Sequence, residues 1–201
     1  LLLVFCFWKD WIEILFKDRT LLVYIVIGTI PAVLAGLAFH DIIETTLRNP
    51  LIIAFTLIFI GALMLLAEKI GKRQRDSVSF WDAVIIGTAQ AFALIPGVSR
   101  SGITITAGLF KGLKRDYAAK FSFLLSTPAI AGAASFDFYK SIKMSHSYDY
   151  SLFLVGVISA AITGTLAIKF MLSFLRKYPL NIFIYYRWLL GVMIFLLYFF
   201  K

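Results

Sequence analysis

The stretch Ile95-Pro96-Gly97-Val98-Ser99-Arg100-Ser101-Gly102-Ile103-Thr104 sets a fixed cation and three hydroxyls on a backbone broken by proline and glycine, inside otherwise apolar sequence. An arginine at the centre of a bilayer-spanning helix costs roughly 2.5 to 3.5 kcal/mol on insertion scales, so a charge held there marks a functional site. Hydroxyls beside a guanidinium point to an anion, and among anions to phosphate.

Working outward, 61% of the chain is hydrophobic, 20 residues are Phe and only 15% are charged, with a mean hydropathy of +0.89. That balance excludes a soluble domain and predicts an all-α polytopic membrane protein. A single cysteine, Cys6, excludes an intrachain disulfide, and no Cys/His cluster has zinc spacing; Cys6 reads as packing. The net charge of +9 is spread between the hydrophobic runs instead of forming one basic stripe, which argues against a nucleic-acid partner and for membrane topology.

A hydrocarbon core of about 30 Å takes roughly 20 apolar helical residues to cross. Runs near 21–38, 51–67, 118–138, 151–172 and 182–200 meet that length, and residues 1–8 resemble the end of a further span, about six in all. Lys and Arg concentrate in 9–19, 69–76 and 111–120, which the positive-inside rule assigns to the cytoplasm, with 39–50 outside. The segment from Trp81-Asp82, with Ser79 as an N-cap, then starts and ends inside. Ala83 to Ile95 and Ile103 to Phe110 are each too short to cross, so 81–113 is expected to form a re-entrant helix-loop-helix hairpin with Pro96 to Gly102 at its tip. Non-helical backbone at membrane depth is tolerated only inside protein or beside a watery cavity; the tip therefore implies a polar cavity.

Gly97 and Gly102 permit close backbone approach and unusual dihedrals, and Pro96 interrupts the incoming helix. Ser99, Ser101 and Thr104 can donate to phosphate oxygens. Arg100 offers a planar fork suited to bidentate phosphate binding. A second half-helix starting near Ser101 would add free amides and its positive dipole end, and Gln90 on the first could reach into the cavity as a neutral hydrogen-bonding group. Such an array stabilises charge developing on a phosphoryl group. The bland alternative is a Ser/Gly-rich helix break with Arg100 snorkelling or paired structurally.

Gln90-Ala91-Phe92-Ala93-Leu94-Ile95 followed by P-G-V-S-R-S-G-I-T resembles the second signature of the bacterial undecaprenyl-diphosphate phosphatase family associated with bacitracin resistance. The likeness extends through Phe121-Ser122-Phe123-Leu124-Leu125 and Pro128, and back to Ile30-Pro31-Ala32-Val33 and Phe39-His40-Asp41. It implies hydrolysis of the diphosphate of an isoprenyl lipid carrier to the monophosphate in the bacterial inner membrane, for cell-wall precursor recycling. It also implies catalytic roles for Arg100, Ser99 and Thr104, substrate binding by Ser101, Gly97, Gly102 and Gln90, and dependence on magnesium or calcium. A homodimer is compatible with it. The family's other signature, E-x-x-x-E followed by P-x-S-S-x-G-H, has no counterpart here, and Glu13, Glu44 and Glu68 are isolated in sequence. The chain, opening on Leu1 within an apolar run, is therefore expected to lack an N-terminal part carrying the acidic residues and nucleophile, and with it the first element of an inverted-repeat architecture. Alone, it is expected to be inactive.

The rival class is a secondary transporter or flippase, since broken helices facing an anion also characterise transporters. A phosphatidic-acid phosphatase mechanism needs S-R-x5-H-x3-D, and Thr106 stands where that histidine would. His40 reads as a solvated or capping residue at an outer helix end and His146 as exposed in the loop from Ser145 to Tyr150. The spacings Gly108 to Gly112 and Gly156, Ala160, Gly164 read as helix contacts, and Trp11, Trp81, Tyr185, Tyr186 and Trp188 as interfacial anchors.

Overall fold

A computed structural model describes residues 2–72, 74–143 and 150–200. Among these residues the fold is all-α: α1 (Leu2–Cys6), α2 (Trp8–Phe16), α3 (Arg19–Ala38), α4 (His40–Glu44), a 3-10 turn (Thr46–Arg48), α5 (Pro50–Ile70), α6 (Phe80–Phe92), α7 (Arg100–Phe110), α8 (Arg115–Lys143), α9 (Tyr150–Lys177) and α10 (Asn181–Phe199). The helices α3, α5, α9 and α10 are long and apolar enough to cross a bilayer. The expected span 118–138 falls within α8, which is 29 residues long but less apolar than those four, carrying Ser122, Ser126 and Thr127 on buried positions. The chain breaks at Phe7 and then runs as α2 through most of the expected 9–19 connection. His146 lies outside the described residues.

Local chemistry explains the boundaries. Asn49 caps α5 by accepting from Leu51 N–H, and Pro50 occupies the first turn, where its missing N–H costs nothing. Ser79 and Asp82 form a reciprocal capping box that starts α6 where the sequence placed it. Asp18 caps α3.

With 13 and 11 residues, α6 and α7 are each too short to cross. They form an antiparallel hairpin whose two ends meet. Gln74 and Arg75 N–H both donate to Gly112 O at 3.0 Å, and Lys114 N–H returns to Arg75 O at 2.8 Å. Arg75 Nη2 donates to Asp82 Oδ2 at 2.7 Å, with Lys111 Nζ 3.9 Å from Oδ1. Gly112, with φ 80° and open space around it, turns this strap, a turn role in place of the expected helix contact.

Around the hairpin, α5 packs along α10, α3 along α6, and α7 against both α5 and α8. Glycines permit the closest of these approaches. A Cβ on Gly87 of α6 would overlap the backbone of Gly28 in α3, and one on Gly61 of α5 would overlap the Trp188 ring of α10. Trp188 also donates Nε1–H to Ile58 O at 3.0 Å; it is an interhelix knob and not an interfacial anchor, and Trp11 Nε1 is likewise buried. Trp81, Tyr185 and Tyr186 are exposed, as anchors require. Gly108 meets Ala118 and Gly164 meets Leu2, as helix contacts, whereas Gly156 has nothing near it. Glu68, isolated in sequence, is paired in space. Arg115 grips its carboxylate through Nε (2.9 and 3.1 Å) and Nη2 (2.7 Å), and Leu180 N–H donates to it at 3.0 Å, joining the ends of α5, α8 and α10.

Candidate functional site

The end of α6 unwinds through tight turns: Ala93, Leu94 and Ile95 N–H each reach back three residues, and Val98 N–H bonds Ile95 O. Gly97 then takes φ 88° and Ser99 φ 68°. Gly97 is required twice over, because a Cβ there would also overlap Thr56 Oγ1 and the Ile53 carbonyl of α5. Ser99 caps α7, its Oγ accepting from Gly102 N–H at 3.2 Å, so the second half-helix begins at Arg100, one residue before the expected start.

The tip is held from behind. Thr56 Oγ1 donates to Pro96 O at 2.8 Å. Arg187 Nη2, from the middle of α10, donates to Gly97 O at 2.8 Å and Val98 O at 3.0 Å. Thr56 lies about 9 Å inside the Pro50 end of α5 at 1.5 Å per residue, so the tip sits well within the helical bundle and toward that end. The sequence reading passed over Arg187, although one signal was available: a charge inside the 19-residue apolar run of α10.

Of the expected site residues, the fold gathers Gly97, Ser99, Arg100, Ser101 and Gly102 at the tip. Arg100 is partly buried, and among the described residues its guanidinium meets no carboxylate. Ser101 opens onto a crevice shared with Phe123, Ile168, Met171 and Phe183. Gly102 packs against Met64 as well as supplying the capped N–H. Thr104 sits one turn further on, 1% exposed, with its hydroxyl donating to Arg100 O at 2.7 Å and 2.5 Å from Ser122 Oγ of α8. Gln90, on the last turn of α6, is also 1% exposed, and neither amide atom has a partner among the described residues. His40 stands apart, 3.8 Å from Glu44 and edge-on to Phe136.

The chemistry of the tip suits an anion. The N–H groups of Ser99, Arg100 and Ser101 have no backbone acceptor among the described residues, and a helix start with free amides, preceded by a left-handed residue, forms a concavity for oxyanions. Two guanidinium groups add fixed positive charge. A hard divalent cation takes carboxylate and carbonyl oxygens, yet no grouping of three or more His, Cys, Asp or Glu side chains stands ready among the described residues. The tip carbonyls are already bonded to Thr56 and Arg187. The described residues of the tip thus supply no ready carboxylate cage, and a magnesium or calcium ion there would take its remaining oxygens from the substrate phosphates and water.

Comparison with known proteins adds the chemistry. A family model described as "Bacitracin resistance protein BacA" matches residues 1–193. A protein of Thermodesulfovibrio yellowstonii named undecaprenyl-diphosphatase is 73% identical over 199 residues, which cover 99% of this chain and 77% of that protein. One of the same name from Moorella thermoacetica is 42% identical over 199 residues, covering 94% of this chain and 75% of its own length. Undecaprenyl-diphosphatase 3 of Bacillus cereus is 39% identical over 204 residues, covering 99% and 79%.

Proposed function

The chain belongs to the bacitracin resistance protein BacA family, and from that premise we infer that it is a membrane phosphatase that hydrolyses undecaprenyl diphosphate to undecaprenyl phosphate and inorganic phosphate. The observation that carries the inference beyond family membership is Arg100, a cation without a carboxylate partner among the described residues, on the same turn as the free amides of Ser99 to Ser101. That set matches a terminal phosphate, whose charge spreads over its outer oxygens as the bridging bond breaks. In the reaction a water oxygen bonds to the terminal phosphorus, the bond from that phosphorus to the bridging oxygen breaks, the bridging oxygen leaves with the lipid monophosphate, one water proton stays on the inorganic phosphate and the other passes to the leaving monophosphate or to solvent. Arg100 and the amides bind and stabilise the transferring group, and the Ser99 hydroxyl remains free to donate to it while its lone pair caps Gly102. Ser101 adds a second hydroxyl, and Thr104 holds the Arg100 backbone in place through its bond to the Arg100 carbonyl.

The hairpin is re-entrant in this reading, entering and leaving at the basic 69–76 and 111–115 level, with that level in the bacterial cytoplasm. Its tip lies toward the Pro50 end and takes the diphosphate from the outer side. A transporter reading is not favoured, because the relatives are named for diphosphate hydrolysis.

The test is phosphate release from undecaprenyl diphosphate by the full-length protein, carrying its native upstream segment and purified in detergent. Arg100→Ala is expected to lower turnover by about 10²-fold or more, the scale of a lost oxyanion donor, while leaving the protein folded. Near-normal turnover by a folded Arg100→Ala protein would remove Arg100 from the reaction.

A further inference from the structure

We propose that Arg187 is a positioning residue that polarises the hairpin tip. Together with Thr56 it draws three successive carbonyls to the back of the tip and so turns the tip's N–H groups toward the anion. The proposal rests on the phosphatase reading of the same site and assigns a task to a side chain that never faces the substrate.

The argument begins with peptide geometry. A trans peptide is planar, and its C=O and the following N–H point in opposite directions. Pro96 O is taken by Thr56 of α5, and Gly97 O and Val98 O by Arg187 of α10. The N–H groups of Gly97, Val98 and Ser99 therefore point away from the α5–α10 pair. Val98 N–H is used within the turn, whereas those of Gly97 and Ser99, followed by Arg100 and Ser101, meet no backbone acceptor among the described residues. The result is a strip of backbone with acceptors on one side and donors on the other, and the donor side continues directly into Arg100.

The choice of side chain fits this task. Arg187 is 7% exposed, its Nε has no partner, and no ion pair neutralises it among the described residues. A single Nη2 bridges two carbonyls through its two N–H bonds, whose directions the planar guanidinium fixes, whereas a lysine's ammonium would have to rotate its donors into place. A neutral donor would tie one carbonyl without the cost of burying a charge. A cation there also adds positive potential behind the donor strip, in surroundings where screening is weak.

The experiment uses Arg187→Lys, Arg187→Met and Thr56→Val in detergent-purified full-length protein carrying its native upstream segment. It reads kcat and KM for phosphate release from undecaprenyl diphosphate, affinity for inorganic pyrophosphate by calorimetry, and the thermal unfolding midpoint. Arg187→Met is expected to lower kcat by about 10²-fold, as for a lost oxyanion donor, with KM changing far less. Arg187→Lys recovers part of that loss, and Thr56→Val, which keeps shape and removes one neutral donor, costs about tenfold. Pyrophosphate affinity falls by about tenfold in all three. An Arg187→Met protein with wild-type kcat, or losses that track only the folded fraction with no rescue by lysine, overturns the proposal. Should Arg187→Met not fold, the isosteric Thr56→Val decides on the same readouts. Wild-type protein that binds pyrophosphate but releases no phosphate from the lipid sinks the phosphatase reading instead. The pyrophosphate affinities then decide alone: weakening upholds the role of Arg187, and equal affinities end it.

Discussion

Ser99 is the one described residue other than glycine with positive φ, a conformation that costs a side-chain-bearing residue of the order of 1–3 kcal/mol and persists where function holds it. The strain is offset in part by its own cap on Gly102 N–H. The two effects separate by substitution. Ser99→Ala loses the cap and keeps the strain, and is expected to destabilise the protein by about 1 kcal/mol. Ser99→Gly gives up the same hydroxyl, costs little as a cap and relieves the strain, so its unfolding midpoint should equal or exceed that of the wild type. Equal destabilisation by both would mean that the backbone at Ser99 is relaxed. Activity should fall in both, because both remove the hydroxyl proposed to donate to the phosphate.

At the scale of elements, the starts of α6 and α7 and the break between them were readable because their signals are local. The Ser79 cap, the Pro96-Gly97 break and the S-R-S-G start of α7 all lie within a few residues of the structure they dictate. The partners of Arg187 were not readable, even though its charge inside an apolar run was, since those carbonyls are about 90 positions away and no periodicity encodes a donor meeting the tip of another element. The pairing of Glu68 with Arg115, 47 positions apart, was hidden for the same reason. Glycine contacts were half readable: small residues recur in every span, and only the fold tells which of them touch. Gly87 and Gly28 bring the α3 and α6 backbones together, and a Cβ on Gly87 would meet backbone atoms that no rotamer change can move. Gly87→Ala is therefore expected to cost about 1–3 kcal/mol, as overpacking does. Gly156→Ala, with nothing within 4 Å, should be neutral or slightly stabilising through helix propensity. Reversible unfolding in mixed micelles measures both, and similar costs for the two would mean that α3 and α6 do not rely on this contact.

Across the whole molecule the uncompensated charge and the compensated charge are kept at different levels. At the tip, Arg100 and Arg187 meet no carboxylate among the described residues; at the base, Asp82 meets Arg75, with Lys111 close by, and Glu68 meets Arg115. The tip thus carries uncompensated positive charge while the base locks the hairpin to its neighbours. Asp82, outside the four spanning helices and 1% exposed, feels opposing influences. Burial pushes its carboxyl up, but the Ser79 N–H bond and the Arg75 hydrogen bond and charge outweigh this and hold it below the ordinary carboxylate value of 3.8. A carboxylate depressed by folding stabilises the protein at pH above its unfolded value, and that contribution is lost as pH falls from there through the folded value. Asp82→Asn is accordingly expected to cost about 1–3 kcal/mol at neutral pH, the scale of hydrogen bonds to a charged group. The gap between mutant and wild type should narrow as pH drops below about 4, where the wild-type carboxyl itself protonates. Unfolding midpoints of both proteins at neutral pH and near pH 3 provide the check. A gap of the same size at both would mean that the base is held by packing and that the Asp82 charge contributes nothing to it.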